Sequence, residues 1–388
     1  MARSLLSVTA QRLALSLDRA FASAALVPRG AADRDHAQRL HALELVGRFY
    51  DREEFFAKDG PFFPAPAPIE PEQRWLRNFG RDGEVLELRW ESAFEPLWSD
   101  TAAVSLLAET PSGIGHGHGQ GLLLDHSRSV REKYLAVRNN RTAVARWFRH
   151  KSGVRPCAVM LHGYMGGVFA LEERMFPVRR LFAGGMDVVL SSLPFHGARR
   201  DERRGLRAPA FPSSDPRFTI EGFRQLVLDQ RALFDYLERR GTRSFGVMGT
   251  SLGGYASALL ATLEPRLHFA LLFIPLGSLE QFYSDHGAIP GDARQQEELL
   301  ARLRRAHQIV SPLARPSLVP EERLLVVAGE LDQVTGLSHS RLLAAHFGVQ
   351  VQTFAGGHVL QLGRTQALEP AFHMLEREGL LQRAFTSG

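Results

Sequence analysis

An intrachain disulfide is excluded, because Cys157 is the single cysteine among 388 residues. It opens the apolar run Cys157–Leu161, where a buried core thiol is expected rather than a nucleophile. Lysine is nearly missing. Lys58, Lys133 and Lys151 are the only three among 47 basic residues, and arginine carries the remainder of a net charge of +5. Acids interleave with those arginines, as in Arg200-Asp201-Glu202-Arg203-Arg204, and no basic-plus-aromatic module accompanies them. A solvated arginine-rich surface is therefore expected, and no nucleic-acid partner. No apolar run approaches the length of a membrane span. The stretch Leu5–Val27 is fairly apolar, but Arg12, Asp18 and Arg19 break the uninterrupted core that a secretory signal needs. Its acid-poor, Arg- and Ser-containing start has some transit-peptide character, yet the same arginine richness runs through the whole chain. An amphipathic helix docked on the protein's own body is expected there. The lack of disulfides is compatible with a reducing compartment, and a cytoplasmic location is the expectation. Also absent is any repeat of fixed period.

What remains is ordinary for a globular protein, with 44% hydrophobic and 23% charged residues. The length allows one large α/β domain plus an extension, or two domains. Three stretches read as loops. Pro61–Pro68 is proline-dense, Gly113–Gly121 is glycine-dense, and Arg207–Pro216 combines breakers with polar residues. His116 and His118 lie in the second of these without a carboxylate or cysteine signature, so a flexible loop is expected there and not a zinc site.

The first eighty or so residues read as helical, with apolar positions at helix spacing over Ala37–Phe49. Glu84–Trp90 and Ala143–Phe148 alternate as half-buried strands do. From Cys157 the pattern changes to continuous apolar runs at Cys157–Leu161, Met186–Leu193, Ser244–Met248, Leu267–Ile274 and Leu324–Ala328, with a shorter one at Val349–Phe354. Helical segments separate them, around Leu171–Phe182, Ile220–Arg239, Tyr255–Leu263 and Leu337–Phe347, and a last helix is expected over Gln366–Glu378. Such alternation predicts an α/β fold, a mostly parallel central sheet flanked by helices. Functional residues of such sheets collect at the strands' carboxyl ends.

The segment Gly249-Thr250-Ser251-Leu252-Gly253-Gly254 lies between a strand-like and a helix-like run. This context predicts a nucleophile elbow, a tight turn that presents the Ser251 hydroxyl. Side chains at Gly249 or Gly253 would collide with the neighbouring strand or the helix start. A serine hydroxyl needs a base, and the base needs an acid to fix its tautomer. Two later strand ends supply candidates: Gly356-Gly357-His358 for the base, and Gly329-Glu330-Leu331-Asp332 for the acid. Asp332 is preferred for its reach further into the loop, with Glu330 as its competitor. Negative charge on an attacked carbonyl oxygen calls for preorganised N–H donors. The backbone of Leu252 offers one. The loop His162-Gly163-Tyr164-Met165-Gly166-Gly167 offers the other, from Tyr164 or, one residue on, Met165. His162, at a strand end before glycine, is expected to shape that loop rather than act as the base.

In these four local motifs, over residues 142–378, the chain resembles the α/β-hydrolase superfamily of esterases, lipases and related enzymes. Pro194-Phe195-His196-Gly197 and the insert after it are similar to the α/β-hydrolase domain-containing 18 group. The resemblance implies acyl transfer to water through an acyl-serine, with a Ser251–His358–Asp332 triad and no metal or organic cofactor. The residue patterns divide the chain into a helical N-terminal extension over residues 1–80 and a hydrolase domain over 81–388, with a cap insert at about 277–320, and the roughly 140 residues before the core depart from a minimal hydrolase. Within the insert, Phe282, Tyr283 and Ile289 are expected to wall an acyl pocket. Ala293–Val310 is a charged helical cap or else a surface helix away from substrate. The expected activity is that of a serine esterase on a small-molecule ester. Amide or peptide cleavage and acyl transfer remain open on the same residues, as does a binding protein without turnover. Acyl chain length and oligomeric state are not legible. The extension is a candidate for assembly or membrane-surface attachment.

Overall fold

The computed structural model describes residues 5–25, 35–99, 129–205 and 207–382. The glycine-dense stretch with His116 and His118 lies outside the described residues. Among the described residues the strands are β1 (Glu72–Phe79), β2 (Gly83–Glu91), β3 (Thr142–His150), β4 (Cys157–Leu161), β5 (Asp187–Ser191), β6 (Phe245–Thr250), β7 (Leu267–Phe273), β8 (Leu324–Gly329) and β9 (Val351–Phe354). They form one sheet in the order β1-β2-β3-β5-β4-β6-β7-β8-β9. The first three strands and β5 pair antiparallel, and from β5 through β4 to β9 every pairing is parallel.

The principal helices are α1 (Leu5–Ala25), α2 (His36–Tyr50), α3 (Phe169–Met175), α4 (Val178–Ala183), α5 (Pro216–Arg239), α6 (Leu252–Ala261), α7 (Leu279–Asp285), α8 (Ala293–His307), α9 (Gly336–Phe347) and α10 (Glu369–Arg377). Both faces of the central strands β4 to β8 are covered, and this explains why they read as largely apolar runs. Along β4, Cys157, Val159 and Leu161 join one core with side chains of α5, α6 and α9. Ala158 and Met160 between them join the other core, with side chains of α4 and α10. Each buried large apolar side chain contributes about 1.5–3 kcal/mol. The Cys157 thiol lies inside, and burial pushes its pKa well up, with the Asp187 carboxylate adding to the shift.

Residues 72–79, within the stretch expected to be helical, form edge strand β1 instead. Their side chains are mostly exposed, so the strand shows no apolar alternation, and its pairing with β2 decides the conformation. The helix expected over Leu171–Phe182 is two helices, α3 and α4, interrupted at Pro177.

The N-terminal segments are bound to the body by polar as well as apolar contacts. Tyr50 donates its hydroxyl proton to Glu221 of α5 (2.7 Å), and the same carboxylate oxygen accepts the Leu97 and Trp98 amides. On the outer face, Arg305 of α8 pairs with Glu44 (3.0 Å) and Asp51 (2.8 Å), tying α2 and its C-terminus to the insert. Among the described residues no helix is long and apolar enough to cross a membrane.

Candidate active site

The chain leaves β4, crosses to β5 on one side, and returns through α5 to β6 on the other side of β4. A crevice opens at such a reversal, outside the carboxyl ends of the strands. The loop after β4 and the turn after β6 both stand there.

Ser251 has φ 56° and ψ −116°, a backbone region that strains any residue with a β carbon. Its N–H donates to the Phe273 carbonyl, and its own carbonyl accepts the Tyr255 and Leu276 amides, each at 3.1 Å. Those bonds hold the turn from the β7 side and from inside α6. A β carbon on Gly249 would collide with the carbonyl of Gly253, and one on Gly253 with the carbonyl of Leu161. The turn is thus wedged between its own helix start and the end of β4.

The structure brings His358 and Asp332 to this serine. His358 Nε2 lies 3.0 Å from Ser251 Oγ, and Nδ1 lies 2.8 Å from Asp332 Oδ2. An ionised carboxylate only accepts, so Nδ1 carries the proton and Nε2 is left to receive the serine's. Asp332 Oδ1 accepts the Val334 and Thr335 amides, both at 2.8 Å, and Oδ2 also accepts the Thr335 hydroxyl at 3.0 Å. Ser251, Asp332 and His358 are all buried. Burial alone would push the Asp332 carboxyl up, but the His358 charge and these hydrogen bonds outweigh it and hold it below its ordinary range. For His358, burial favours the neutral ring, but the charges of Asp332 and Asp18 and the bond to Asp332 outweigh it and raise the pKa. Glu330 is exposed and accepts a hydrogen bond from the Thr353 hydroxyl at 3.0 Å, away from His358.

The loop after β4 lies directly on the serine, since a β carbon on Gly163 would come 3.3 Å from Ser251 Cβ. His162 donates Nδ1–H to the Gly163 carbonyl (2.8 Å), and its Nε2 accepts the Leu193 amide (3.1 Å). Burial pushes its pKa down to about 4, so the ring is neutral near pH 7 and both nitrogens are engaged. Among the described residues the Tyr164 and Leu252 amides have no hydrogen-bond acceptor. Leu252 opens α6, where helix geometry leaves N–H groups free. The Tyr164 hydroxyl donates to the Pro209 carbonyl at 3.2 Å, and Met165 is exposed with φ 70°.

Phe282 and Tyr283 stand on α7, and Ile289 is buried in the turn after it. Phe282 packs its ring against His286 and His339, while the Tyr283 hydroxyl donates to the Ser213 carbonyl (3.2 Å). Three residues at the site escaped the sequence reading. Thr335 backs the carboxylate of Asp332. Phe21 of α1 stacks on the His358 ring at 6.2 Å between centroids. Asp18 is fully buried beside His358, although in the sequence it shows only as a charge that interrupts an apolar run. Among the described residues no group of three or more His, Cys, Asp or Glu is arranged to hold a metal ion.

This sheet order, with Ser251, Asp332 and His358 following β6, β8 and β9, is the α/β-hydrolase fold. Over 88% of this chain and 93% of the other, it superposes on acetyl xylan esterase 1 from Thermoanaerobacterium sp. JW/SL YS485, with a TM-score of 0.50 and 16% identity. More narrowly, residues 134–285 match the family described as alpha/beta hydrolase domain containing 18. The chain is also 30% identical over 236 residues to an uncharacterised protein of Mycobacterium tuberculosis, strain H37Rv, covering 58% of this chain and 55% of that one. An uncharacterised protein of strain CDC 1551 matches to the same extent, so the chain spans about half the length of the curated relatives it matches.

Proposed function

We propose that the chain is a serine hydrolase that cleaves carboxylic esters through an acyl-serine intermediate. One observation carries this reading: the bonded series from Ser251 Oγ to His358 (3.0 Å) and on to Asp332 (2.8 Å). In the first half-reaction Ser251 Oγ attacks the ester carbonyl carbon while His358 Nε2 takes its proton. Asp332 fixes the tautomer and stabilises the imidazolium. The Leu252 and Tyr164 amides receive the oxyanion, a role worth about 10²–10³ in rate for each donor. The C–O bond of the leaving group then breaks, and His358 returns its proton to the departing alkoxide. In the second half-reaction water loses a proton to His358 and attacks the acyl carbon. The tetrahedral adduct collapses, the carboxylic acid leaves, and the proton returns to Ser251.

Each step uses groups of this chain and water. His162 is not the base in this scheme, because both ring nitrogens are already bonded to backbone groups, Gly163 in the loop and Leu193 after β5. Met165 is the competing oxyanion donor. Esters are favoured as the substrate class by the fold shared with an esterase. We assign Phe282, Tyr283 and Ile289 to the acyl pocket, residues 1–80 to an N-terminal extension and residues 277–320 to a cap. Ser251→Ala removes the attacking atom, so turnover of p-nitrophenyl acetate should fall about 10⁴-fold or more. Unchanged turnover in a folded Ser251→Ala protein would overturn the reading. Product analysis with methanol as a competing nucleophile separates hydrolysis from acyl transfer.

A further inference from the structure

Helix α1 reaches the site through a stripe at four-residue spacing. Ala14, Asp18 and Ala22 turn inward, while Leu13 and Leu17 are exposed. The Asp18 carboxylate meets three backbone amides. Its Oδ2 accepts Gln333 N–H at 3.1 Å and His358 N–H at 2.8 Å, and its Oδ1 accepts Val359 N–H at 2.8 Å. Gln333 directly follows Asp332, so one carboxylate ties down both the loop with the acid and the loop with the base. We infer that Asp18 is a positioning residue of the active site, a buried clamp from α1 that sets the register of Asp332 against His358. The inference rests on the serine-hydrolase reading.

Two further features fit the clamp. A β carbon on Gly357 would come 2.8 Å from Asp18 Oδ2, too close to stand, so the second glycine of Gly-Gly-His makes room for the carboxylate. Phe21, one turn on along α1, lies against the imidazole face. Asp18 also acts on the base by its charge. Asp332 and Asp18 are the charged groups that favour the protonated His358 ring, against burial. A helix that merely covered the site would supply stability without setting the histidine's titration.

The test uses the full chain with Asp18→Asn, Asp18→Ala and Gly357→Ala, each checked for folding by circular dichroism. Two quantities are read: kcat/KM for p-nitrophenyl acetate against pH, and the His358 titration by NMR of histidine-labelled protein. Asp18→Ala frees both loops, and kcat/KM should fall about 10²-fold, the scale of a 1 Å misplacement. Asp18→Asn keeps the shape and one acceptor, so a loss of roughly tenfold is expected, with the larger part in kcat rather than KM. The same variant should move the His358 titration, and the acid limb of kcat/KM, to lower pH. Gly357→Ala should reproduce the activity loss while Asp18 itself is intact. The inference is overturned if Asp18→Asn leaves kcat/KM within twofold and the His358 titration unmoved. The titration needs no substrate. A wild-type chain without turnover would therefore overturn the hydrolase reading, and the titration would still decide the clamp.

Discussion

Asp332→Asn changes one atom, and its consequence follows from what surrounds the carboxylate. Oδ1 faces two backbone donors, the amides of Val334 and Thr335 at 2.8 Å. An asparagine must put its carbonyl oxygen there, because an amide NH2 in that place would set donor against donor. The NH2 is then forced into the Oδ2 position, 2.8 Å from His358 Nδ1. It donates to Nδ1, the ring proton moves to Nε2, and Nε2 presents a hydrogen to Ser251 Oγ instead of a lone pair. The base is present in the wrong tautomer. Such a loss is worth about 10³–10⁴ in rate, or roughly 4–5.5 kcal/mol of transition-state stabilisation. Folding should change by no more than about 1–2 kcal/mol, because the two backbone donors remain satisfied. The assay is kcat/KM for p-nitrophenyl acetate at neutral pH beside thermal unfolding of the same preparation. A folded Asp332→Asn protein within tenfold of wild type would refute the tautomer argument.

The raised pKa of His358 sets the pH dependence. In the proposed mechanism His358 acts as base only when deprotonated, so kcat/KM should rise with pH through a midpoint above the ordinary histidine value of about 6.5. A midpoint at or below that value would contradict the charge balance described for the ring. The lowered pKa of Asp332 places no second limb in that window, since its carboxylate stays ionised throughout. Glu330→Gln, at an exposed residue bonded to Thr353, should leave kcat/KM within twofold. A fall of a hundredfold or more there would transfer the acid's role away from Asp332.

The fold class was legible because parallel strands covered on both faces must be continuously apolar. Cys157–Leu161 and Phe269–Phe273 show this at the residue level. Edge strand β1 was not legible. One side of it is unpaired and its faces are mostly exposed, so nothing selects the alternation that reveals a strand. The break between α3 and α4 was written in Pro177, whose missing N–H ends the first helix, but the apolar spacing on either side masked it.

At the candidate site, Ser251 and His358 stood out because glycines flank them at strand ends. Those glycines have physical reasons, a wedged turn at Gly253 and room for a carboxylate at Gly357. The choice between Glu330 and Asp332 was not fixed by spacing, since both fall in one short loop. It depends on which side chain turns inward, and the two find different partners, Thr353 and His358. Asp18 was beyond sequence reasoning for a plainer cause. Its partner His358 lies 340 positions away, and a lone acid in an apolar helix carries no local mark of what it binds.

The proposed mechanism requires Ser251 to be an activated nucleophile. A fluorophosphonate probe added to the folded wild-type chain, followed by intact-mass and peptide-mapping measurements, tests it most directly. A single adduct on Ser251, absent from Ser251→Ala, is expected. A folded wild-type chain that takes up no probe, or an adduct that persists in Ser251→Ala, would contradict it.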